Sequence, residues 1–419
     1  MKKNILLSVV SFALLLAAAE ASFFYWFPRL FPTNATMFFT DKALHPLLQS
    51  SKKSIFPHDY IALFGDSYAE GMGDWADTAM QKRMARYSSA NLLHEATGKD
   101  VISFGSAGAG SIRGIVTEPL SQLAYLRQYI NPQIESPKWI FIYFYEGNDL
   151  YDNAAYFHYS FPKLFDIRNQ YNDAIYQQYI QQFSIERNET MRMVKADGWL
   201  KHWPMFDQSD KLFRALTGLP QRTIDNGNQQ KDDANYEPPW IFGGASVSLP
   251  GTINKALIAD KIVQLPDTLQ APALALDSTE WEQAWYAFDQ ALQYTRKAFP
   301  DSQIVLVYIP SVLSVYEIQS QAVSVQTYER RARVFPTRQM FSQSDLMRTS
   351  FQSIAAKHQL PVIDTTNALR KAGKQAFIHG PKDWNHLNEM GYRALSNAIL
   401  EQLPVNAQSA TAIKPLAAQ

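Results

Sequence analysis

The sequence predicts an α/β protein in which helices cover both faces of a parallel sheet. Short apolar runs alternate with segments of helical periodicity, which is typical of strand–helix–strand units. The run at residues 139–145 is apolar on both faces, as a central parallel strand should be. With 419 residues the chain exceeds the usual size of a single core, so we expect one domain with a large insertion, or two domains.

Composition narrows the classes of function. Lys plus Arg and Asp plus Glu balance at 39 each, so net charge gives no support for a nucleic-acid partner. The absence of cysteine excludes disulfides, thiolate metal sites and a cysteine nucleophile. The eight histidines include no His-Glu-x-x-His pattern, so we expect neither a metal nor another cofactor.

Residues 1–30 carry an export signal or a membrane anchor. A basic start precedes an apolar run, and the Ala-Glu-Ala at residues 19–21 fits a signal-peptidase site. The alternative is an uncleaved anchor over residues 5–27, which is long enough to span a bilayer. Aromatic residues at 23–27 extend the apolar run past the cleavage site and favour the anchor. In both cases we expect the remainder on the periplasmic or extracellular side, because the lysines stay cytoplasmic.

Five strands and the helices between them follow along the chain. The strands are predicted at residues 60–64, 101–104, 139–145, 304–309 and 361–364. After a short helical run that begins near Ser67, helices are predicted at residues 77–97, 118–130, 281–299, 345–358 and 389–403. Residues 31–57 are expected to be a linker or a packed flap, and residues 404–419 a disordered tail.

Residues 151–280 break this alternation and are predicted to form a large insertion, a lid or substrate subdomain over the carboxyl edge of the sheet. The segment is rich in Tyr, Phe and Trp and contains a polar low-complexity piece at residues 225–235. We expect most of these aromatic residues to form a small core of the insertion itself. The alternative is that they bind a sugar or an acyl chain.

Gly65-Asp66-Ser67 turns out of the first strand into a helix. A serine in this position lies at the carboxyl end of a strand, where open α/β sheets bind ligands. The amino end of the following helix favours negative charge beside its hydroxyl. The plainer alternative is that Asp66 and Ser67 only cap the helix.

Asp383 and His386 precede the last predicted helix, at the same expected edge of the sheet as Ser67. Acyl transfer through a serine needs a base to accept the hydroxyl proton and a carboxylate to orient that base. The three-residue spacing lets both side chains face the same way, so Asp383 can hold one imidazole nitrogen while the other meets Ser67. An Asp-x-x-His pair that only caps a helix or lies at the surface is the alternative.

Three donors are candidates for an oxyanion hole. They are the backbone N–H groups of Ser67 and Gly108 and the side-chain amide of Asn148, each just past a predicted strand. A side chain at Gly108 would block the approach of a carbonyl group. The amide of Asn148 donates hydrogen bonds without carrying a charge.

These blocks resemble the SGNH (GDSL-type) hydrolase family, whose sheet is flavodoxin-like. The matching stretches occur in family order: Gly65-Asp-Ser-x-x-x-Gly71, the glycine of Ser106-Ala-Gly108, Gly147-Asn-Asp149 and Asp383-x-x-His386-Leu-Asn-x-x-Gly391. The resemblance implies the nucleophile Ser67, the oxyanion donors Gly108 and Asn148, the base His386 and its orienting carboxylate Asp383. It implies supporting roles for Gly65, Asp66, Gly147 and Asp149. It covers roughly residues 58–150 and 286–403, which we assign with 281–285 to the hydrolase-like domain.

Three positions depart from the family pattern. Tyr68 replaces the usual leucine after the serine and is expected to alter the shape of the pocket. Ser103 stands where an asparagine often lies, so a supporting hydrogen bond is expected to differ. Glu146 replaces a glycine and should either point away from the oxyanion site or bind a polar group of the substrate.

The resemblance implies an exported serine esterase that removes small O-acyl groups, above all O-acetyl, from a cell-envelope saccharide. One alternative is an O-acetyltransferase that passes the acyl group from Ser67 to a polysaccharide hydroxyl, with a membrane partner that delivers the acyl group. Exclusion of water by the insertion would favour transfer. A glycan-binding module without turnover is another alternative. Dinucleotide binding at Gly105-x-x-Gly108-x-Gly110 is disfavoured because the glycine spacing is wrong.

Overall fold

The computed structural model describes residues 2–30, 42–74, 87–193, 203–217, 253–327 and 332–403. Its strands are β1 (Ile61–Phe64), β2 (Val101–Ser103), β3 (Trp139–Tyr145), β4 (Lys255–Ile258), β5 (Lys261–Gln264), β6 (Gln303–Ile309), β7 (Glu317–Ile318), β8 (Ala322–Gln326), β9 (Ala332–Pro336) and β10 (Val362–Asp364). Its α-helices are α1 (Lys2–Ala21), α2 (Phe23–Leu30), α3 (Ser67–Glu70), α4 (Ser89–Thr97), α5 (Glu118–Tyr129), α6 (Asp149–Ala155), α7 (Phe161–Leu164), α8 (Asp173–Met193), α9 (Pro204–Thr217), α10 (Ser278–Ala298), α11 (Val312–Val315), α12 (Thr337–Lys357), α13 (Thr366–Gln375) and α14 (Glu389–Gln402). Short 3₁₀ turns occur at Lys42–Leu47 and Ile167–Asn169, and π-helical turns at Ile112–Thr117 and Tyr156–Ser160.

The main sheet has five strands in the order β10-β6-β3-β1-β2, and all neighbouring pairs are parallel. Numbered among themselves along the chain, these strands follow the flavodoxin-like order 2-1-3-4-5. Helices cover the sheet, so the predicted α/β three-layer architecture is confirmed. The chain leaves β1 toward β2 on one side and returns to β3 on the other. The carboxyl ends of β1 and β3 therefore border the crevice where such sheets bind ligands.

Apolar side chains from the sheet feed two cores, one on each face. Phe64, Ile142 and Phe144 point to the face covered by α5, α8 and α10. Leu63 and Val307 point to the opposite face, which α4 and α14 cover. All seven residues of β3 are buried, which explains the continuous apolar run that identified this strand from sequence.

The aromatic residues of the 151–280 segment do not form a separate core, contrary to our expectation. Phe157, Phe161, Tyr176 and Tyr179 pack ring against ring, with centroids 5.2–5.5 Å apart in most pairs. These rings are buried in the same cluster as the side chains on one face of the sheet. Helix α8 of this segment packs on α5 and α10, so its rings extend the apolar core on that face of the sheet, and the division into domains stays a prediction.

Two segments near the N-terminus also contribute to that core. Phe23 and Phe27 of α2 are almost fully buried, and so are Leu44 and Leu47 of the turn Lys42–Leu47. Of the two alternatives for residues 31–57, the described part therefore matches the packed flap and not the linker, because its leucines have apolar partners in the main core. Residues 31–41 lie outside the described residues.

Other elements differ from the sequence prediction in extent. Helix α12 begins at Thr337, well before the predicted start at residue 345, while α13 and strands β4, β5, β7, β8 and β9 were not predicted. Of the helix predicted at 77–97, the described part is α4, which ends where Gly98 adopts a left-handed conformation. The predicted low-complexity piece at 225–235 and the tail at 404–419 lie outside the described residues.

Within the described ranges, one helical stretch is long and apolar enough to cross a membrane. It is Asn4–Ala21 at the N-terminus, and none of its residues is buried in the protein. A signal sequence has the same length and composition, so this property alone is compatible with an anchor or a signal peptide.

Candidate active site

The turn after β1 places Ser67 at the crevice. Gly65 has φ +141°, and a Cβ there would lie 2.8 Å from the carbonyl oxygen of Tyr143, so only glycine fits. Asp66 caps α3 by accepting a hydrogen bond from the N–H of Tyr68 at 2.9 Å. Ser67 is the first residue of α3 and is only 5% exposed. The capping role weighed for Asp66 thus exists, and it orients the turn that carries Ser67.

The structure brings Ser67, His386 and Asp383 together in one hydrogen-bonded chain. His386 Nε2 lies 2.8 Å from Ser67 Oγ, although the two residues are 319 positions apart. His386 Nδ1 lies 2.5 Å from Asp383 Oδ2. If Nδ1 carries the proton that the carboxylate accepts, the lone pair of Nε2 is free to accept the hydroxyl proton of Ser67.

Residues that follow Ser67 hold the loop of His386 in place. The hydroxyl of Tyr68 donates to the carbonyl of Asn385 at 2.9 Å, and its ring stacks on Tyr145 with centroids 4.0 Å apart. Asp74 Oδ1 accepts the N–H of Asp383 at 2.5 Å. Tyr68 is fully buried, so its contacts favour positioning of the loop over the expected effect on pocket shape. Sequence reasoning missed Tyr68 and Asp74 as positioning residues, although both follow Ser67 closely in the sequence.

The environment of the loop favours an ionised Asp383. Burial alone would raise the pKa of Asp383, but the hydrogen bond and charge of His386 outweigh it and lower the pKa below the ordinary value. A second imidazole, His379, lies behind the loop and shares a 3.2 Å hydrogen bond with the Tyr316 hydroxyl. Burial, reinforced by the charge of His386, lowers the pKa of His379 to about 3. His379 is therefore neutral and does not compete with His386 for the carboxylate.

The three candidate oxyanion donors lie around the same turn. The loop of Gly108 (φ +65°) is joined to the nucleophile turn by the N–H of Ser106, which donates to the carbonyl of Gly65 at 3.1 Å. Asn148 Nδ2 donates to Asp152 at 3.3 Å, and its amide also interacts with Asp66. Among the described residues, no hydrogen bond uses the N–H of Ser67 or Gly108, and none joins Gly108 directly to Asn148.

Supporting residues of the predicted set are buried beside the crevice. Asp149 Oδ2 accepts the N–H of Tyr145 at 2.9 Å, which closes the turn after β3. Burial, with a further contribution from the charge of Asp66, raises the pKa of Asp149. Burial likewise raises the pKa of Asp66. Gly147 lies against the ring of Tyr145, where a Cβ would come within 2.5 Å of Cε1.

The hydrogen bonds of Ser103 and Glu146 explain two of the departures from the family pattern. Ser103 Oγ donates to the carbonyl of Ala69 at 2.7 Å and accepts the N–H of Gly105 at 3.1 Å, so it joins β2 to α3. Glu146 is fully buried and points away from the crevice into a group of hydroxyls. Its carboxyl oxygens accept hydrogen bonds at 2.5–2.8 Å from Tyr308, Ser311 and Ser344, and another from Ser314.

A buried carboxylate that sequence reasoning missed supports the Gly108 loop. Glu118 is paired with Arg113 at 3.0 Å and with Arg187 at 2.8 Å, while Lys42 and Arg113 both donate to Ser106 Oγ. Burial would raise the pKa of Glu118, but the charges of Lys42, Arg187 and Arg113 lower it to about 2. No sequence signal identified Glu118, because its partners Lys42, Arg113 and Arg187 come from three separate parts of the chain.

The described residues contain no group of three or more His, Asp or Glu side chains arranged to hold a metal ion. The assembled arrangement can instead perform nucleophilic chemistry: a hydroxyl in contact with an oriented imidazole, with backbone and amide donors nearby. No protein-family model matches the chain, and no curated protein matches it.

Proposed function

We propose that this protein is a serine esterase of the SGNH type that removes small O-acyl groups, principally O-acetyl, from a cell-envelope saccharide. The observation that carries the proposal is the hydrogen-bonded chain from Ser67 Oγ through His386 to Asp383. It supports catalysis over a glycan-binding module without turnover, because binding alone requires no such alignment. The motifs that resemble the SGNH family supply the choice of an ester as substrate.

In the first half of the reaction, Ser67 Oγ attacks the ester carbonyl while His386 Nε2 accepts the hydroxyl proton. Asp383 holds the Nδ1–H tautomer and stabilises the imidazolium that forms. The negative charge on the former carbonyl oxygen is met by the N–H groups of Ser67 and Gly108 and by the Asn148 amide. Collapse of this intermediate breaks the bond to the sugar oxygen, which takes the proton from His386 and leaves an acyl-serine.

In the second half, His386 removes a proton from the incoming hydroxyl, which attacks the acyl-serine and restores Ser67. Water as the attacking group gives an esterase, and a sugar hydroxyl gives an O-acetyltransferase. The exposure of Ser67 (5%) and His386 (4%) supports transfer as the second candidate, because a site with little access to solvent protects an acyl-enzyme from water.

We further propose that the chain is exported and anchored in the cytoplasmic membrane by residues 5–21, the part of the predicted anchor at residues 5–27 that lies in α1. The helix Asn4–Ala21 is apolar and unburied, and α2 follows it with a single turn residue between them. Ala19 accepts a hydrogen bond from the Trp26 indole and Glu20 accepts one from the N–H of Met205, so the last turn of α1 is held by the folded body, which supports retention of this segment after export. Washed membranes should therefore hold the full-length protein, whereas a soluble chain that begins near Ser22 would contradict the anchor.

The catalytic proposal is tested by hydrolysis of an aryl acetate by the wild type and by Ser67→Ala and His386→Ala. We expect each substitution to lower kcat by at least about 10³-fold, because nucleophile and base act as a unit. Circular dichroism checks that the variants fold. Equal turnover by all three proteins would contradict the proposal. Incubation with acetylated envelope glycan, with and without an unacetylated acceptor, then separates release of acetate from its transfer.

A further inference from the structure

We propose that helix α9 lies in the membrane–water interface, beside the point where the N-terminal helix leaves the bilayer. The inference rests on the proposed membrane anchor and adds a second contact with the lipid. This second contact is with the headgroup region of the same membrane that α1 spans. The surface that contacts the lipid consists of Phe213 on α9, Trp203 just before this helix, and the exposed Tyr25 and Leu30 of α2.

The first step concerns the position of the protein body relative to the membrane. Helix α1 ends at Ala21, and Ser22 continues the chain into α2 through a hydrogen bond from its N–H to the carbonyl of Ala18 at 3.1 Å. The indole N–H of Trp26 donates to the carbonyl of Ala19 at 2.8 Å, which fixes α2 against the end of α1. Because α2 is packed in the core, the body sits directly on the membrane surface without a linker.

The second step concerns the position of α9 along the membrane normal. Glu20, at the end of α1, accepts the N–H of Met205 at 2.8 Å, in the first turn of α9. This carboxylate caps the helix N-terminus, where negative charge is favoured. A carboxylate is costly inside the bilayer but acceptable at its boundary. The hydrogen bond therefore places the start of α9 at the level where α1 reaches the interface.

The third step concerns the surface that α9 presents. Met205 and Gln208 are buried against the protein, while Phe213 is 59% exposed and Trp203, just before the helix, is 37% exposed. On the neighbouring α2, Tyr25 is exposed as well. Aromatic side chains of this kind are enriched at membrane interfaces, and an amphipathic helix buries its apolar face there. A bilayer that begins at Glu20 explains why these side chains lie at the surface.

The test uses the absence of cysteine in the full-length chain, because any introduced thiol is then unique. Phe213→Cys and Trp203→Cys are each labelled with a bimane fluorophore and reconstituted into phosphatidylethanolamine–phosphatidylglycerol vesicles. Val10→Cys reports the spanning helix. Ile262→Cys is the matched control, since Ile262 is 67% exposed and belongs to the small sheet that packs on the opposite face of the main sheet. Lipids with a nitroxide at the headgroup or deep in the acyl chain act as quenchers.

We expect the headgroup nitroxide to quench labels at 213 and 203 severalfold more strongly than the label at 262, and the deep nitroxide to quench the label at 10. Equal quenching at 213, 203 and 262, with the label at 10 still quenched, would overturn the interfacial helix and leave the anchor intact. An unquenched label at 10 would overturn the anchor and this proposal together. Quenching that appears only at high protein density would point to a second copy and overturn the proposal. Circular dichroism identifies a variant that fails to fold, and the other α9 position then carries the test.

Discussion

At the scale of single residues, the hydroxyl of Tyr68 connects helix α3, which carries Ser67, to the loop that carries His386. Tyr68 directly follows the nucleophile, and its partner Asn385 directly precedes His386. The ring of Tyr68 also lies 5.5 Å from the imidazole of His386, measured between ring centroids. One side chain therefore contacts both the turn of Ser67 and the loop of His386.

We predict that Tyr68→Phe lowers kcat by about tenfold, because a small displacement of a reacting group is costly in rate. The stacking on Tyr145 remains, so KM for an aryl acetate should change little. The matched control is Tyr143→Phe, which removes a buried hydroxyl that is bonded to Ser89 and, among the described residues, makes no hydrogen bond to the histidine loop. Both variants should lose about 1 kcal/mol of unfolding free energy. An equal loss of kcat in both would contradict the positioning role.

For Asp383→Asn we predict a fall in kcat on the order of 10³ to 10⁴, with the fold intact. An amide at this position can donate to Nδ1 and so stabilise the wrong tautomer of His386. In the wild type, the hydrogen bond with His386 lowers the pKa of Asp383 despite burial. The measurement is the pH dependence of kcat in both proteins. A variant with wild-type kcat at neutral pH would show that Asp383 does not orient the base.

Glu118 leads to a prediction about acid stability. Its pKa falls from 4.5 in the unfolded chain to about 2 in the folded protein, so it stabilises the fold above pH 4.5. This contribution, about 3 kcal/mol, is lost as the pH falls from 4.5 toward 2. Unfolding in urea at several pH values should show the loss in the wild type and not in Glu118→Gln. The variant should be less stable at neutral pH, because three cations lose their carboxylate.

The surface substitution Glu401→Gln is the control for this series, because Glu401 is exposed on α14. It should preserve both the stability at neutral pH and the acid-dependent loss. The same pH profile in the wild type and Glu118→Gln would show that the ion pairs of Glu118 contribute nothing to folding.

At the scale of elements, Glu146 ties the carboxyl ends of β3 and β6 to helix α12. Tyr308 belongs to β6, Ser344 to α12, and Ser311 to the turn between β6 and α11. Glu146 itself is the first residue after β3 and lies two residues before Asn148. The group of hydroxyls therefore fixes the end of β3, and Asn148 lies just beyond that end.

We predict that Glu146→Ala lowers the unfolding free energy by about 3 kcal/mol, because it leaves four buried hydroxyls without their acceptor. Glu146→Gln retains one acceptor oxygen and should lose less. Urea unfolding measures both. Activity should fall further in Glu146→Ala than in Glu146→Gln, since Asn148 loses its support. Unchanged stability in both variants would contradict this account.

The elements predicted from sequence were those with a local signal. The run at 139–145 identifies β3 because every residue is apolar, and Gly65 and Gly98 mark the turns that end β1 and α4. The first turns of α12 were missed because the helix begins with polar residues. Its start is set by the hairpin of β8 and β9, which ends at Pro336, directly before the helix.

The site shows the same division between local and distant information. Ser67 and His386 were identifiable because each belongs to a short motif beside a predicted element. Ser67 closely follows the first strand, and His386 closely precedes the last helix. The support from Tyr68 and Glu118 was not identifiable, since it depends on partners far away along the chain. Whether Gly108 and Asn148 act as oxyanion donors stays a prediction.

At the scale of the whole molecule, the N-terminal segment belongs to the folded body. Removing residues 1–21 deletes the apolar helix but keeps α2, whereas removing residues 1–30 deletes Phe23, Phe24 and Phe27 from the core. At about 2 kcal/mol for each buried phenylalanine, the second deletion should cost about 6 kcal/mol.

We therefore predict that a chain starting at Ser22 folds and unfolds near the temperature of the full-length protein. A chain starting at Phe31 should aggregate or unfold at a much lower temperature. Calorimetry in the same detergent compares all three proteins. If the two shortened chains unfold at the same temperature, α2 is not part of the core.

The order of the site along the chain has a consequence for biosynthesis. Ser67 emerges from the ribosome 319 residues before His386, so the hydrogen bond between them forms only after the segment that carries His386 has been synthesised. A nascent polypeptide therefore carries an unactivated alcohol for most of its synthesis, since domains form as their segments become available. Under the proposed function, a chain terminated before His386 lacks the base and is inert toward esters.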